Sequence, residues 1–306
     1  MYSYKIYGLN ISSEVEIPEL PETAGESDIT FRMGKHADAP SGNYTPGAHR
    51  LSPEIMLFTA REAGSFLIEG KRKVTVFPVE GCDPAMLRLF LLGSVSGMIL
   101  HLNDFLPLHG NAVALDGEGC VAFLGHSGKG KSTLAAMLMK RGYKLLTDDI
   151  CAVRTANGMP TVMPGIPHVR LWSDAMQMLQ IDPCGLKKHH PSEEKFLLPI
   201  GKCYAGHPLP LKKIYILGGA GSEDECRLEL LSPSERMRCL RNHTYRLGFV
   251  KRTGQSRKHF SLCGEIAARV PVKMIMRPQA NLPLEQFVDF VERELHSSPP
   301  AVDAPR

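Results

Sequence analysis

Residues 125–132, Gly-His-Ser-Gly-Lys-Gly-Lys-Ser, match the pattern G-x-x-x-x-G-K-[ST] at every fixed position: Gly125, Gly130, Lys131 and Ser132. Glycines at this spacing let successive backbone N–H groups turn inward around a phosphate, and a helix starting at Lys131 adds the positive end of its dipole. The run Gly125, His126, Ser127, Gly128, Lys129, Gly130, Lys131, Ser132 and Thr133 is therefore the candidate phosphate cradle. Lys131 would neutralise the β- and γ-phosphates, and Ser132 would ligate Mg2+. Asp148 and Asp149 close the next apolar run, Tyr143-Lys144-Leu145-Leu146. One carboxylate can hold the metal and the other can accept a proton from an attacking hydroxyl. Adjacent side chains of a regular strand point to opposite faces, so the two cannot share one task. His109, in Pro107-Leu108-His109-Gly110, precedes the strand that leads into the loop. If it reaches Asp148, its ring would orient that carboxylate and set its proton affinity.

Further candidates are cationic. Arg170 and Lys195 are candidate phosphate contacts. Arg241, His243, Arg246, Lys251, Arg252, Arg257, Lys258 and His259 form a basic run. It reads either as a solvated face or as a mobile loop that closes over phosphates or a peptide carboxylate, with Arg246 and Arg252 as contacts. Trp172, the one tryptophan, reads as a packing residue.

The elements that must position these groups are legible as patterns. A β-like run at 120–124 enters the loop, and the helix after it stops at Gly142, a C′ residue. In open α/β sheets the strand C-termini converge on the ligand crevice, which would bring the aspartates to the edge that holds the loop. Asn157-Gly158 marks a hairpin, residues 212–217 a strand, and Ser232-Pro233-Ser234-Glu235 a capping box. Leu284, Phe287, Val288, Val291 and Leu295 share the face of a last helix. The expected division is a β-rich N-terminal module at 1–82, a connecting helix at 83–106 capped by Asp83-Pro84, a catalytic α/β unit at 107–296 and a frayed tail at 297–306.

Composition excludes the extremes. The 306 residues carry 36 Lys+Arg against 32 Asp+Glu, a net charge of +4, which does not mark a nucleic-acid binder. The most apolar stretch, Met86 to Leu100, is 15 residues long and contains Arg88. That is short of the roughly 20 residues a bilayer span needs, so it reads as a buried helix and no membrane partner is expected. The eight cysteines include no C-x-x-C pair, which gives no zinc ribbon or redox motif. The opening MYSYKIYGLN has no secretory pattern, so reduced thiols and a cytoplasmic location are expected.

The order His109-Gly110, the loop from Gly125 to Thr133, a helix, and Arg141-Gly142-Tyr143-Lys144-Leu145-Leu146-Thr147-Asp148-Asp149 resembles the catalytic domain of the HPr kinase/phosphorylase family. Members carry a histidine-glycine pair, a GxSGxGKS loop, and an Arg-Gly followed by an apolar strand and two aspartates. The shared block covers residues 107 to 154. Phosphoenolpyruvate carboxykinases have a similar loop and aspartate pair, and the resemblance implies an α/β, P-loop kinase domain of that type behind the small β-rich module. It also implies ATP and Mg2+ as cofactors, Asp148 as the base, Asp149 and Ser132 as metal ligands, and His109 as the partner of Asp148. The chain departs from HPr kinases at Thr133, where they carry Glu, and in lacking an Arg-Gly-x-Gly-Ile-Ile segment. Its 168–179 and 193–200 segments, with YGLNISSEVEIPELP near the start, are more similar to HPr-kinase-like proteins encoded with lasso-peptide biosynthesis. Those phosphorylate a precursor peptide on its C-terminal serine, which implies a peptide with a serine acceptor as partner and leaves homo-oligomerisation open. HPr serine phosphorylation, or regulatory ATP binding without transfer, are the alternatives.

Overall fold

The computed structural model describes residues 1–116, 119–156, 158–221, 225–278 and 282–297. Seven strands come first: β1 (Tyr2–Ile6), β2 (Leu9–Ser13), β3 (Ile29–Met33), β4 (Gly47–Arg50), β5 (Ile55–Ala60), β6 (Gly64–Glu69) and β7 (Lys73–Pro78). They form one sheet in the order β1-β2-β3-β7-β6-β5-β4. Alternation does the work expected of it: along β6, Phe66 and Ile68 are buried while Ser65 and Leu67 are only partly so. The β1–β2 hairpin turns at Tyr7-Gly8, both at positive φ.

A continuous helix follows. The Asp83 side chain accepts from the Ala85 N–H and Pro84 opens α1 (Pro84–Phe90), which runs through a π-helical turn (Leu91–Val95) into α2 (Ser96–Leu102). At 19 residues, Pro84–Leu102 is longer than the apolar stretch suggests, because the capped first turn and the last turn extend it. By length and composition it could cross a bilayer, yet 78% of its most apolar window is buried inside the protein. It packs under the seven-stranded sheet in a core that also takes in Ile150, Ile166, Tyr245 and Phe249. The hydrophobic core therefore does not divide at residue 82.

The rest contains β8 (Leu106–Leu115), β9 (Gly119–Leu124), α3 (Lys131–Lys140), β10 (Leu145–Thr147), β11 (Ile150–Ala156), β12 (Met159–Met163), β13 (His168–Trp172) and α4 (Ser173–Met178). After them come β14 (Lys187–Lys188), β15 (Lys195–Pro199), β16 (Leu209–Gly221), β17 (Arg227–Leu230), α5 (Pro233–Asn242), α6 (Gly248–Arg252), α7 (Ser256–Arg269), β18 (Val272–Pro278) and α8 (Leu284–His296). An eight-stranded mixed sheet forms the centre, in the order β10-β8-β11-β12-β16-β18-β17, with β9 held between β8 and β16. Among the described residues of this sheet, only the β9–β16 and β16–β18 pairings are parallel. β9 and β10 each pair antiparallel with β8, so they point the same way and release their C-termini at one edge. The glycine-rich loop at 125–130 and the aspartate pair leave from there.

The sheet is packed on both faces. Val121 and Phe123 of β9 meet α3 and α8, whereas Cys120, Ala122 and Leu124 meet α5 and α7. The capping box at Ser232 and Glu235 forms as expected, as does the buried α8 face of Phe287, Val288, Val291 and Leu295. Residues 156 and 159 pair across the predicted hairpin, of which Asn157 lies outside the described residues, as does the tail beyond Ser297. β13, β15 and β14 make a separate small sheet beside the loop.

Candidate functional site

β9 hands the chain to residues 125–130, and α3 begins at Lys131. Gly128 and Gly130 have φ of +80° and +79°, a conformation glycine adopts without steric cost. Nothing lies within 4 Å of where a Gly128 Cβ would sit, so the loop leaves room for an anion. Gly125 is buried, and His126, Ser127 and Gly128 are exposed. Arg277 donates to the Lys129 carbonyl at 2.7 Å, tying the loop to β18. Thr133 sits half-buried in the first turn of α3.

Lys131 is only 8% exposed. Its Nζ donates to the Gly125 and His126 carbonyls at 2.7 and 3.0 Å and to His109 Nε2 at 3.2 Å. An ammonium only donates, so His109 Nε2 is the accepting nitrogen and the ring proton sits on Nδ1. Nδ1 lies 3.4 Å from an Asp149 carboxylate oxygen. Burial lowers the His109 pKa, with the Lys131 charge adding to it and the Asp149 charge opposing it. Its backbone is fixed as well: the His109 N–H donates to the His243 carbonyl at 2.6 Å. At the next position only glycine fits, because a Gly110 Cβ would lie 2.3 Å from the Phe123 carbonyl oxygen.

The aspartates part company. Ser132 Oγ donates to both Asp148 carboxylate oxygens, at 3.0 and 3.2 Å, and the Arg170 backbone N–H donates to one of them at 2.9 Å. Asp149 has φ +70°, which swings its side chain away from Ser132 towards His109 and the Arg170 guanidinium, 2.6 Å away. The expected contact of His109 with Asp148 is thus corrected: His109 meets Asp149, while Ser132, expected to share a metal with Asp149, meets Asp148. The cause is the left-handed conformation of Asp149, in the two-residue link between β10 and β11 that both acids occupy. Burial raises the Asp148 pKa, and the neighbouring Asp149 charge pushes the same way. Burial alone would raise Asp149 too, but the Arg170 charge, then those of His109 and Lys195, outweigh it and hold the carboxyl below its usual range.

A cavity of about 460 Å3 opens beside these groups, lined by His126, Asp149, Arg170, Lys195, His243 and Arg246 among others. Lys195 lies 5.5 Å from the ring of Trp172, which is 42% exposed and lines this cavity rather than packing in a core. Arg246 sits over Tyr245, 5.8 Å from the ring centre. Arg252 is elsewhere: it donates to the Ala48 carbonyl in β4, so it joins α6 to the first sheet and does not reach the site. The basic run covers the end of α5, the link 243–247 that carries His243 and Arg246, α6 and the start of α7, and His243 and His259 within it are buried. His243, its pKa pushed down to about 4 by burial, lies 4.9 Å from His126 with the two rings tilted by 55°.

Two residues of the site carried no sequence signal. Asn111 Nδ2 donates to the Lys131 carbonyl at 2.7 Å, fixing the start of α3. Tyr245, whose N–H donates to the Pro107 carbonyl, lies 6.1 Å from the His109 ring. Ser132 Oγ and the Asp148 carboxylate are hard oxygen donors, and Mg2+ is usually held by one or two carboxylates together with phosphates. The residues present therefore fit a Mg2+-nucleotide.

No family model matches the chain. Two HPr kinase/phosphorylases of Clostridium botulinum, from strains Eklund 17B and Alaska E43, are each 38% identical to it over 85 residues, 25% of this chain and 28% of the relative. The chain thus spans about 28% of the length of these curated relatives and has distant HPr kinase/phosphorylase-like homology over that part. The structure of the HPr(Ser) kinase/phosphatase from Coxiella burnetii aligns with 61% of this chain and 95% of its own, at 15% identity and a TM-score of 0.33, a likeness too slight to carry an argument.

Proposed function

We propose that the chain is an ATP- and Mg2+-dependent phosphotransferase that delivers a γ-phosphoryl group to the serine hydroxyl of a peptide. One observation carries this reading: Lys131 of the glycine loop reaches the half-buried His109, whose other ring nitrogen meets Asp149, while Ser132 of the same loop meets Asp148. The partial homology to HPr kinase/phosphorylases supports it. The nucleotide would supply the phosphoryl group, and the metal the charge that neutralises it.

The chain's own groups divide the remaining work. Ser132 and Asp148 would hold the metal. Lys131 would leave the Gly125 and His126 carbonyls for the phosphates, which uncovers His109 Nε2. His109 would then take the proton of the acceptor hydroxyl at Nε2, while Asp149 keeps the Nδ1 proton in place and stabilises the imidazolium. Arg170 orients both acids, donating from its backbone to Asp148 and from its guanidinium to Asp149. Lys195 and Arg246 on the cavity wall would meet the charge of the transferred group.

For the acceptor we favour the C-terminal serine of a lasso-peptide precursor, met in the cytoplasm. Support comes from segments 168–179 and 193–200, which resemble lasso-associated kinases and form β13, α4 and β15 beside the site. Incubation with γ-labelled ATP, Mg2+, HPr and a lasso precursor tests it. Label on the precursor's terminal serine alone is expected; label on HPr alone would exclude the peptide acceptor, and ATP binding with no labelled acceptor would exclude transfer.

A further inference from the structure

A second cavity, of about 360 Å3, lies on the other side of the aspartate pair. It shares Arg170 and His189 with the first, so these two side chains form a common wall, with Asp149 facing one space and Asp148 the other. Three parts of the fold enclose it: Glu19 from the N-terminal module, one face of α1, and the small β13–β15–β14 sheet. Its size is that of a ligand site of about 300–1,000 Å3. The apolar side is made by Leu89, Leu92, Ile166 and Leu197.

The polar side is unfinished. Glu19 is ion-paired through one carboxylate oxygen with Arg88 at 2.9 Å, while its Oε2 is buried with no hydrogen-bond partner among the described residues. His168 Nδ1, on the same cavity, is in the same condition. Buried polar atoms are nearly always hydrogen-bonded, and an orphaned carboxylate oxygen is among the costliest exceptions. Glu19 Oε2 can only accept, so it asks for an N–H or O–H; the imidazole nitrogen takes either role according to tautomer. The same lining carries Arg88, Asp148, Arg170, Lys187, Lys188 and His189. An apolar wall facing these charged groups, an unfilled obligate acceptor and an adaptable polar atom matches an extended peptide, which presents a side chain alongside alternating N–H and C=O groups. A narrower space of about 250 Å3 continues from Glu19 and His168 past Pro18 and Pro199, giving the chain a way out.

The geometry points to this cavity as the acceptor-peptide subsite: an apolar side chain flanking the phosphorylated serine sits against Leu89, Leu92, Ile166 and Leu197, and a backbone N–H donates to Glu19 Oε2. This rests on the reading of the chain as a peptide kinase. The N-terminal module, through Glu19, then sets which peptide is accepted, although it carries none of the phosphate-binding residues.

The test uses the full chain with γ-labelled ATP, Mg2+ and an oriented set of peptides ending in serine, in which Leu, Gly, Glu or Lys is fixed at each position before that serine. The wild type should label peptides with Leu at one particular position about tenfold more than those with Glu there. Leu89→Trp, which fills the cavity, should flatten that preference, and Glu19→Gln should raise the peptide KM about fivefold with kcat retained. Affinity for a fluorescent ATP analogue and the melting temperature should stay at wild-type values in at least one of the two variants. Labelling without any flanking preference overturns the subsite, as does wild-type selectivity in a folded variant of either kind. If the wild type binds the ATP analogue but labels no peptide, the kinase reading falls and the subsite with it.

Discussion

Asp149→Asn should melt early and Asp148→Asn should not, although the residues are neighbours. The Asp149 carboxylate and the Arg170 guanidinium are 2.6 Å apart, with side-chain exposures of 15% and 13%. Removing one member of such a pair strands the other charge inside the protein, at about 3–5 kcal/mol. At ~2.1 cal/mol/K of unfolding entropy per residue, 306 residues melting as one unit give about 0.6 kcal/mol/K, so Tm should fall by about 5–8 °C. Asp148 is the opposite case. Burial holds its carboxyl above the usual range, so the charged form is disfavoured in the fold, and Asn keeps an acceptor for the Arg170 N–H. Its Tm at neutral pH should stay within about 2 °C of wild type or rise, with phosphoryl transfer lost. The pH dependence has opposite signs. A carboxyl held low in the fold gives stability above its unfolded pKa and loses it as pH falls through the folded value, so the Asp149→Asn deficit should shrink below the ordinary carboxylate range. A carboxyl held high gives stability below its unfolded pKa and loses it as pH rises through the folded value, so any gain from Asp148→Asn should appear only above the ordinary range. Scanning calorimetry of the three proteins at neutral and acidic pH reads all of this. Equal losses for both variants, or an Asp149→Asn protein as stable as wild type, would refute the division of roles between the two acids.

Lys131→Ala should cut transfer at least about a hundredfold and weaken ATP binding. Because the Lys131 charge helps to hold the His109 pKa down, the same change should move the His109 titration up in an NMR experiment, and an unmoved titration would contradict the contact between them. The acid limb of kcat/KM should lie below the ordinary histidine range, since burial lowers the His109 pKa; a limb at or above that range would point to a different base. Trp172 should report nucleotide binding through its emission, being the sole tryptophan, half in solvent and on the cavity wall, and Lys195→Ala should change the free protein's signal by removing the cation over the ring.

Local patterns carried much of this architecture. The strand–glycine loop–helix turn at 120–140, the Gly142 stop, the Ser232 capping box and the apolar face of α8 follow from spacing over a few residues, which is where propensity and periodicity act. The candidate site was legible as a set of residues but not as a set of contacts. A positive φ at a non-glycine residue such as Asp149 leaves no mark in composition, so the exchange of partners between the two acids could not be read from their order. Arg170 could be named but not paired, because a separate small sheet brings it there through pairing with β15. Arg252 was misplaced because charge clustered along the chain says nothing of which helix face each residue occupies. Tyr245 and Asn111 act through backbone contacts that any residue type could make or through a single amide bond, and neither has a motif.

The aromatic contact that joins Phe58 of the first sheet to Phe90 of the helix and Phe249 of α6 has a bearing on how such a protein can be inherited and rearranged. A module that met the α/β unit only through polar groups could be exchanged, lost or fused elsewhere without harm to that unit's packing. Here a cut after residue 82 would leave the Phe90 and Phe249 faces in water, and the strand that starts at Ile150, one residue past Asp149, would lose part of its packing. Substitutions at those of the first 82 residues that enter this shared core should therefore be felt by the strand next to Asp149.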